Sequence, residues 1–217
     1  MTNKFRYFIA NWKMFGDLRS LKSIDNVIKY VKSRKKKNFK LIYCPPYTLI
    51  YPLYAKLKKT KISLGAQNCH EEINYGAFTG QINSKMVKSL GAKYIILGHS
   101  ENRQGGENDV VINKKIISAL KQKLMVVFCV GETLSQKRKK LTKKILKKQI
   151  SLGLKNVPKN SKIIIAYEPV WSIGTGIIPN KFDLSQNIDF IKLFVKRNLR
   201  FKNIKTIYGG SVSPDNI

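Results

Sequence analysis

The sequence predicts an α/β fold, a (β/α)8 barrel that lacks its eighth β/α unit. Three observations carry that prediction. Short β-branched runs alternate with amphipathic stretches along the whole chain, which is the pattern of parallel strands joined by helical crossovers. Seven such strands can be counted, and the polar residues with chemical potential fall at their C-terminal ends, where barrel enzymes keep their chemistry. No Pro/Gly/Ser-rich linker divides the 217 residues, so residues 1–217 are expected to form a single domain with one deep core.

The elements follow in order. Phe5 to Asn11 reads as the first strand, followed by a helix capped near Asp17 with Leu21, Ile24, Ile28 and Val31 at spacings of three and four, one apolar face of a 3.6-residue period. Phe39 to Cys44 is the second strand, and after Pro45-Pro46 a helix runs to about Lys58. Ile62 to Gln67 is the third strand, Asn68 to Gly80 an irregular loop, and Ser84 to Leu90 a short helix. The fourth strand, Lys93 to Leu97, ends in Gly98-His99-Ser100-Glu101, and a helix from about Asn108 to Lys121 carries Ile112, Ile116 and Leu120 toward the core. Leu124 to Val130 is the fifth strand, followed by a lysine-rich helix with Leu141, Ile145 and Leu152 as its apolar stripe. The sixth strand, from Ile163, ends at Glu168; a helix with Leu184, Ile188, Ile191, Val195 and Leu199 on one face leads to the seventh, Ile204 to Tyr208, and then Gly209-Gly210-Ser211-Val212. Six clear helices are expected, with a seventh only beginning at the end of the sequence. A doubly wound sheet is the alternative fold, but Gly174-x-Gly176 continues to Pro179 where a dinucleotide fingerprint needs a third glycine, and no phosphate-loop motif occurs.

Composition narrows the function. The formal net charge is +30, a value that often signals nucleic-acid or anionic-surface binding. The lysines, however, cluster over 32–40, 56–61, 137–148 and 196–205, on what read as outer helix faces and loops, and no RNP-type motif, zinc finger or recognition helix accompanies them. A charged surface without a specific nucleic-acid partner is therefore expected, with weak salt-dependent sticking. Cys44, Cys69 and Cys129 are far apart and there are two histidines, so reduced thiols and no metal site are expected. The first residues lack a signal peptide's apolar core, and no apolar run nears the roughly 18 residues that span a bilayer. A cytoplasmic protein without membrane association is the expectation.

One stretch organises the candidate site. The strand that begins Ile163-Ile164-Ile165 delivers Glu168 into Pro169-Val170-Trp171, stiff at its start, and then Gly174-Thr175-Gly176, flexible at its end. That is the composition of a loop that closes as a unit over something held at a strand end. A closed barrel would gather Asn11, Lys13, His99, Glu101, Glu168 and Gly209 to Ser211 on one face.

Seven segments in register, Asn11-Trp12-Lys13, Gln67-Asn68, Gly76 to Gly80, Gly98-His99-Ser100-Glu101, Cys129-Val130-Gly131-Glu132, Tyr167 to Gly176 and Tyr208 to Val212, closely resemble the triosephosphate isomerase family over nearly the whole chain. The resemblance implies interconversion of dihydroxyacetone phosphate and D-glyceraldehyde 3-phosphate with no metal or organic cofactor, and a place in glycolysis and gluconeogenesis. The resemblance also implies the family's site roles. By resemblance Glu168 is the base that takes a C–H proton and returns it to the adjacent carbon. His99 donates a hydrogen bond to the enediolate as neutral imidazole, and Lys13, oriented by Asn11, supplies positive charge near oxyanion and phosphate. Glu101 matches the acidic residue after the histidine, with a structural or proton-shuttling role. Gly174 and Ser211 offer backbone N–H groups to the phosphate, while Cys129 reads as packing.

The same likeness projects the loop from Cys69 to Gly80 into a neighbouring copy, with Thr79 near the partner's site, and so implies a homodimer. The family often carries an acid at position 81 and an arginine at 102, paired across that interface; here they are Gln81 and Asn102. Ile177-Ile178-Pro179 also departs from the more polar lid hinge common in the family. The absent eighth strand would leave the first and seventh strands as open edges, and the expectation is a fragment of a parent of about 250 residues. Two competing functions differ in class. An aldose epimerase would not explain Gly-His-Ser-Glu together with the Glu168 lid, and an inactive truncated barrel binding polyanions non-specifically would retain binding with a steep salt slope and no turnover.

Overall fold

A computed structural model of the chain describes residues 6–34 and 38–213. Phe5, the lysines at 35–37 and the expected onset of a seventh helix at 214–217 lie outside the described residues. Seven parallel strands lie in sequence order in one sheet: β1 (Arg6–Asn11), β2 (Phe39–Cys44), β3 (Ser63–Ala66), β4 (Tyr94–Leu97), β5 (Met125–Val130), β6 (Ile163–Tyr167) and β7 (Lys205–Tyr208). This is the (β/α) barrel with six complete units and a seventh strand among the described residues, and each helical crossover returns the chain to the adjacent strand.

The helices are α1 (Ile24–Ser33), α2 (Tyr47–Leu57), α3 (Ser84–Ser89), α4 (Ser100–Gln104), α5 (Asp109–Lys121), α6 (Leu134–Arg138), α7 (Thr142–Gly153) and α8 (Lys181–Leu193). The side-chain period of two divides each strand between two cores. Ile95, Leu97, Val126, Phe128, Val130, Ile163 and Ile165 face outward and pack with helix residues such as Ile50, Ile112, Ile116, Leu146 and Ile150. Ile42, Cys44, Tyr94, Ile96, Val127, Cys129, Ile164 and Ala166 face inward and fill the barrel with Tyr7, Ile9 and Ile207. Asn11 on β1 and Glu168 just past β6 continue the inward series 7, 9, 11 and 164, 166, 168, so the pleat itself aims them at the barrel's mouth.

Several expected elements differ in detail. Asp17 caps a 3-10 turn, Leu18–Ser23, through a capping box with Ser20, and α1 begins only at Ile24. The lysine-rich helix is two helices, because Lys140 takes a left-handed φ of 57° between α6 and α7; α7 buries Leu146 and Ile150, with Leu141, Ile145 and Leu152 only half-buried. To the expected six helices the structure adds α4 and α6, each five residues long. The face that includes Val195 and Leu199 is not one α-helix: α8 widens into a π-helical turn, Phe194–Asn198, which keeps Phe194 and Val195 buried. No helix among the described residues is long and apolar enough to cross a membrane.

Candidate active site

The floor of the site is set by what can approach Glu168. Its backbone N–H donates to Val130 O at 2.8 Å, and a Cβ on Gly131 would fall 1.8 Å from Glu168 O, so only glycine lets the end of β5 lie this close. A Cβ on Gly209 would stand 2.9 Å from Glu168 Cγ, so the end of β7 is likewise bare where the carboxylate packs. The side chain is 12% exposed, and Oε2 is buried without a hydrogen-bond partner. Burial raises the Glu168 pKa to about 7, against opposing pulls from the Cys129 thiol and the Lys13 ammonium. A carboxylate destabilised by desolvation is a stronger base, and this one is tuned to neutral pH.

His99 faces it, with Nε2 3.9 Å from Glu168 Oε2. Gly98, at a φ of +74°, turns the chain at the end of β4 so that His99 becomes the N-cap of α4. Its Nδ1 accepts the backbone N–H of Glu101 at 3.3 Å, which leaves that nitrogen without a proton and directs the remaining N–H, on Nε2, into the site. Burial lowers the His99 pKa, with Lys13 adding to the effect and Glu101 opposing it. The ring is thus held as a neutral donor.

Lys13 occupies a left-handed conformation, φ 52°, a strained state that needs support from its surroundings. Asn11 Oδ1 accepts the Lys13 backbone N–H at 3.0 Å, and Gln67 Nε2 donates to Lys13 O at 2.8 Å and to Cys44 O at 2.9 Å. The ammonium meets Glu101 Oε1 at 2.5 Å. Glu101 itself is half exposed and reaches both Lys13 and, at 3.6 Å, His99 Nδ1.

One cavity of about 580 Å³ is lined by Asn11, Lys13, His99, Glu168, Gly174 and Ser211. A second, of about 380 Å³, shares Asn11, Lys13 and His99 and adds Glu101, Gln81 and Asn102. The structure therefore brings together every expected site residue except Thr79, which sits exposed on its loop. The segment after Glu168 forms a 3-10 turn, Val170–Ser172, and then Gly174 and Gly176 at φ of 69° and 72°, with nothing within 4 Å of the place a side chain would take on either. The tip of this segment, residues 174–178, stands in solvent. At its base Ser211 Oγ donates to Ser172 O at 2.5 Å, and the hydroxyls of Ser172 and Tyr208 lie 2.9 Å apart.

The family model described as triosephosphate isomerase matches residues 6–217. The chain belongs to the triosephosphate isomerase family. The triosephosphate isomerase of Thermodesulfovibrio yellowstonii is 38% identical over 216 residues, covering 98% of this chain and 87% of that protein. That of Aquifex aeolicus is 39% identical over 217 residues, covering 97% and 86%. Among solved structures, the triosephosphate isomerase of Bartonella henselae superposes with a TM-score of 0.85 at 32% identity, over 97% of this chain and 85% of that one.

Beside these features of the triosephosphate isomerase family, the structure shows partners that sequence reasoning missed. Cys129, read as packing, lies on the inward face of β5 and lines the same cavity as Glu168; burial, with the neighbouring carboxylate adding to it, drives the thiol pKa well up. Glu132 is buried and accepts from the Tyr167 hydroxyl at 3.1 Å and from Trp171 Nε1 at 3.0 Å. The sequence signal for Cys129 was its place in the alternation 125, 127, 129. Glu132 stands in one of the seven family-like segments, but its role was hidden, since its partners lie 35 and 39 residues away.

Proposed function

We propose that this chain interconverts dihydroxyacetone phosphate and D-glyceraldehyde 3-phosphate by proton transfer through an enediolate, a cytoplasmic step of glycolysis and gluconeogenesis. The observation that carries the reading is a desolvated carboxylate with an unpartnered oxygen, Glu168, facing the neutral imidazole of His99 in one cavity. Glu168 removes a proton from the carbon beside the carbonyl. The electron pair moves to the carbonyl oxygen, which the Nε2–H of His99 and the ammonium of Lys13 stabilise. The proton of the neighbouring hydroxyl passes to this oxygen, and as Glu168 returns its own proton to the other carbon the newly deprotonated oxygen becomes the carbonyl, one position along, with Glu168 ionised again. Glu101 holds Lys13 at its working position through the short ion pair, and Asn11 fixes the backbone from which Lys13 projects. Gly174 and Ser211, on the lid and after β7, bracket the far side of the cavity, where their backbone N–H groups would meet the phosphate on closure. No step calls for a metal or organic cofactor. Coupled-assay turnover of the full chain in both directions tests the proposal: activity that Glu168→Gln abolishes is expected, and activity indifferent to that change would refute it.

The same reading includes a homodimer. Met14 (95% exposed), Phe15 (74%), Tyr75 (65%) and Phe78 (46%) form apolar surface on the β1 loop and the Cys69 to Gly80 loop. Gln81 and Asn102 lie at one cavity with Met14, so the family's interface charges are missing from the same place. Thr79 on the exposed loop would reach the partner's site. Light scattering after gel filtration should give the mass of two chains.

A further inference from the structure

The segment after β5 grips the first hinge of the lid from two sides. Glu132 takes the edge of Trp171, accepting Nε1–H at 3.0 Å. Lys137, on α6, takes the face, its Nζ 3.7 Å from the ring centroid, a favourable placement of a cation on the most electron-rich aromatic side chain. The same ammonium lies 3.9 Å from Asp183 Oδ2. Asp183 stands in the first turn of α8, where the lid ends: its backbone N–H donates to Asn180 Oδ1 at 2.8 Å, and Asn180 Nδ2 donates to its Oδ2 at 3.0 Å. The lid thus enters at Trp171 and leaves at Asn180, and one cation touches both anchorages while the tip between them stands in solvent. A cavity of about 500 Å³ lined by Lys137, Trp171, Pro179 and Asp183 leaves room for these groups to part.

We propose that Lys137 is a positioning residue for the lid, holding the indole of Trp171 and the carboxylate of Asp183 together and so favouring the arrangement in which the tip stands in solvent. Without its charge, the first hinge loses the contact on its face and keeps only the edge contact to Glu132, and the balance moves toward closure. Substrate then binds with less conformational cost, and product leaves a lid that opens less readily. The turnover part of this inference rests on the isomerase reading; the hinge part does not.

The test uses the full chain labelled with 5-fluorotryptophan, which gives one 19F resonance each for Trp12 and Trp171, the two tryptophans of the sequence. Lys137→Met keeps the aliphatic stem and removes the charge, whereas Lys137→Arg keeps a cation able to stack on the ring. In Lys137→Met the Trp171 resonance is expected to shift and change its exchange broadening, the Trp12 resonance to stay put, and KM and kcat to fall together by roughly two- to five-fold. Lys137→Arg should return all of these to parental values. If Lys137→Met leaves the Trp171 resonance and both kinetic constants unchanged, or if Trp12 moves with Trp171 as the melting temperature drops, the inference is wrong. Should no form turn over substrate while Trp171 still responds to Met and not to Arg, the hinge role stands and the isomerase reading fails.

Discussion

Glu132 and Glu168 follow adjacent strands, and both are withdrawn from water, with Glu132 1% exposed and the Glu168 side chain 12% exposed. Their surroundings separate them. Glu132 receives the Tyr167 hydroxyl and the Trp171 indole N–H, so its charge is spread over donors and it serves as a structural anchor for the lid's first hinge. Glu168 has the Cys129 thiol against it and one oxygen with no partner at all. Burial alone does not make a carboxylate reactive; burial without donors does, because the charged form then pays the desolvation cost uncompensated.

The comparison is broken most completely by Glu168→Gln. We expect kcat to fall by about 10³- to 10⁴-fold, and folding stability to rise. The sign follows from the raised pKa, about 7 in the folded chain against 4.5 for the free group. Between those values the folded form holds a proton that the unfolded form has lost, so stability falls as pH rises through this window and the full cost is present above it. Gln carries no such penalty, and at pH 8 the variant should gain on the order of 3 kcal/mol in denaturant unfolding, at about 1.4 kcal/mol per unit. In the parent, kcat/KM should decline with unit slope as pH falls below about 7, and a profile flat down to pH 5 would remove Glu168 from the base role.

His99→Gln is the next largest change. It keeps a donor near the oxyanion but loses the rigid cap in which Glu101 N–H fixes Nδ1, and about 10²-fold in kcat is expected with little change in KM. A smaller effect follows from Gly209→Ala, which leaves every polar group in place. The added methyl meets Glu168 Cγ at 2.9 Å and Oε1 at 3.0 Å, so the carboxylate must swing aside. A loss of about tenfold in kcat is expected from misplacement of the base, with the acid limb of the pH profile shifted as its burial changes; unaltered kcat would show that the carboxylate has room the structure denies it.

Much of this was legible in the chain itself. The alternation of β-branched runs with amphipathic helices gave the seven strands, and the pleat's period of two explains why Asn11 and Glu168 look inward once their strands are placed. Gly98-His99-Ser100-Glu101 placed an imidazole at a strand end, although the short helix α4 that His99 caps was not expected. What stayed hidden depends on contacts between distant segments. Nothing near Glu132 in sequence points to its partners, since Tyr167, Trp171 and Lys137 reach it or its indole partner only after β5 and β6 pair. The break at Lys140 was masked because lysine is a good helix former, so nothing local marks the left-handed residue that stands there.

The smallest predicted effect tests the other half of the comparison. Glu132→Gln retains one carbonyl oxygen, enough to accept from Trp171 Nε1, while the Tyr167 hydroxyl, which already accepts from Asn187 Nδ2 at 3.0 Å, loses a charged acceptor and gains an amide beside it. The loss should be about 1 kcal/mol of stability, with kcat within a few-fold of the parent, because the reacting atoms lie on the opposite, inward side of β6. A fall in kcat approaching that of Glu168→Gln, measured at saturating substrate, would mean that the donor-rich carboxylate takes part in proton transfer after all. It would then be wrong to assign the two roles by hydrogen-bond satisfaction.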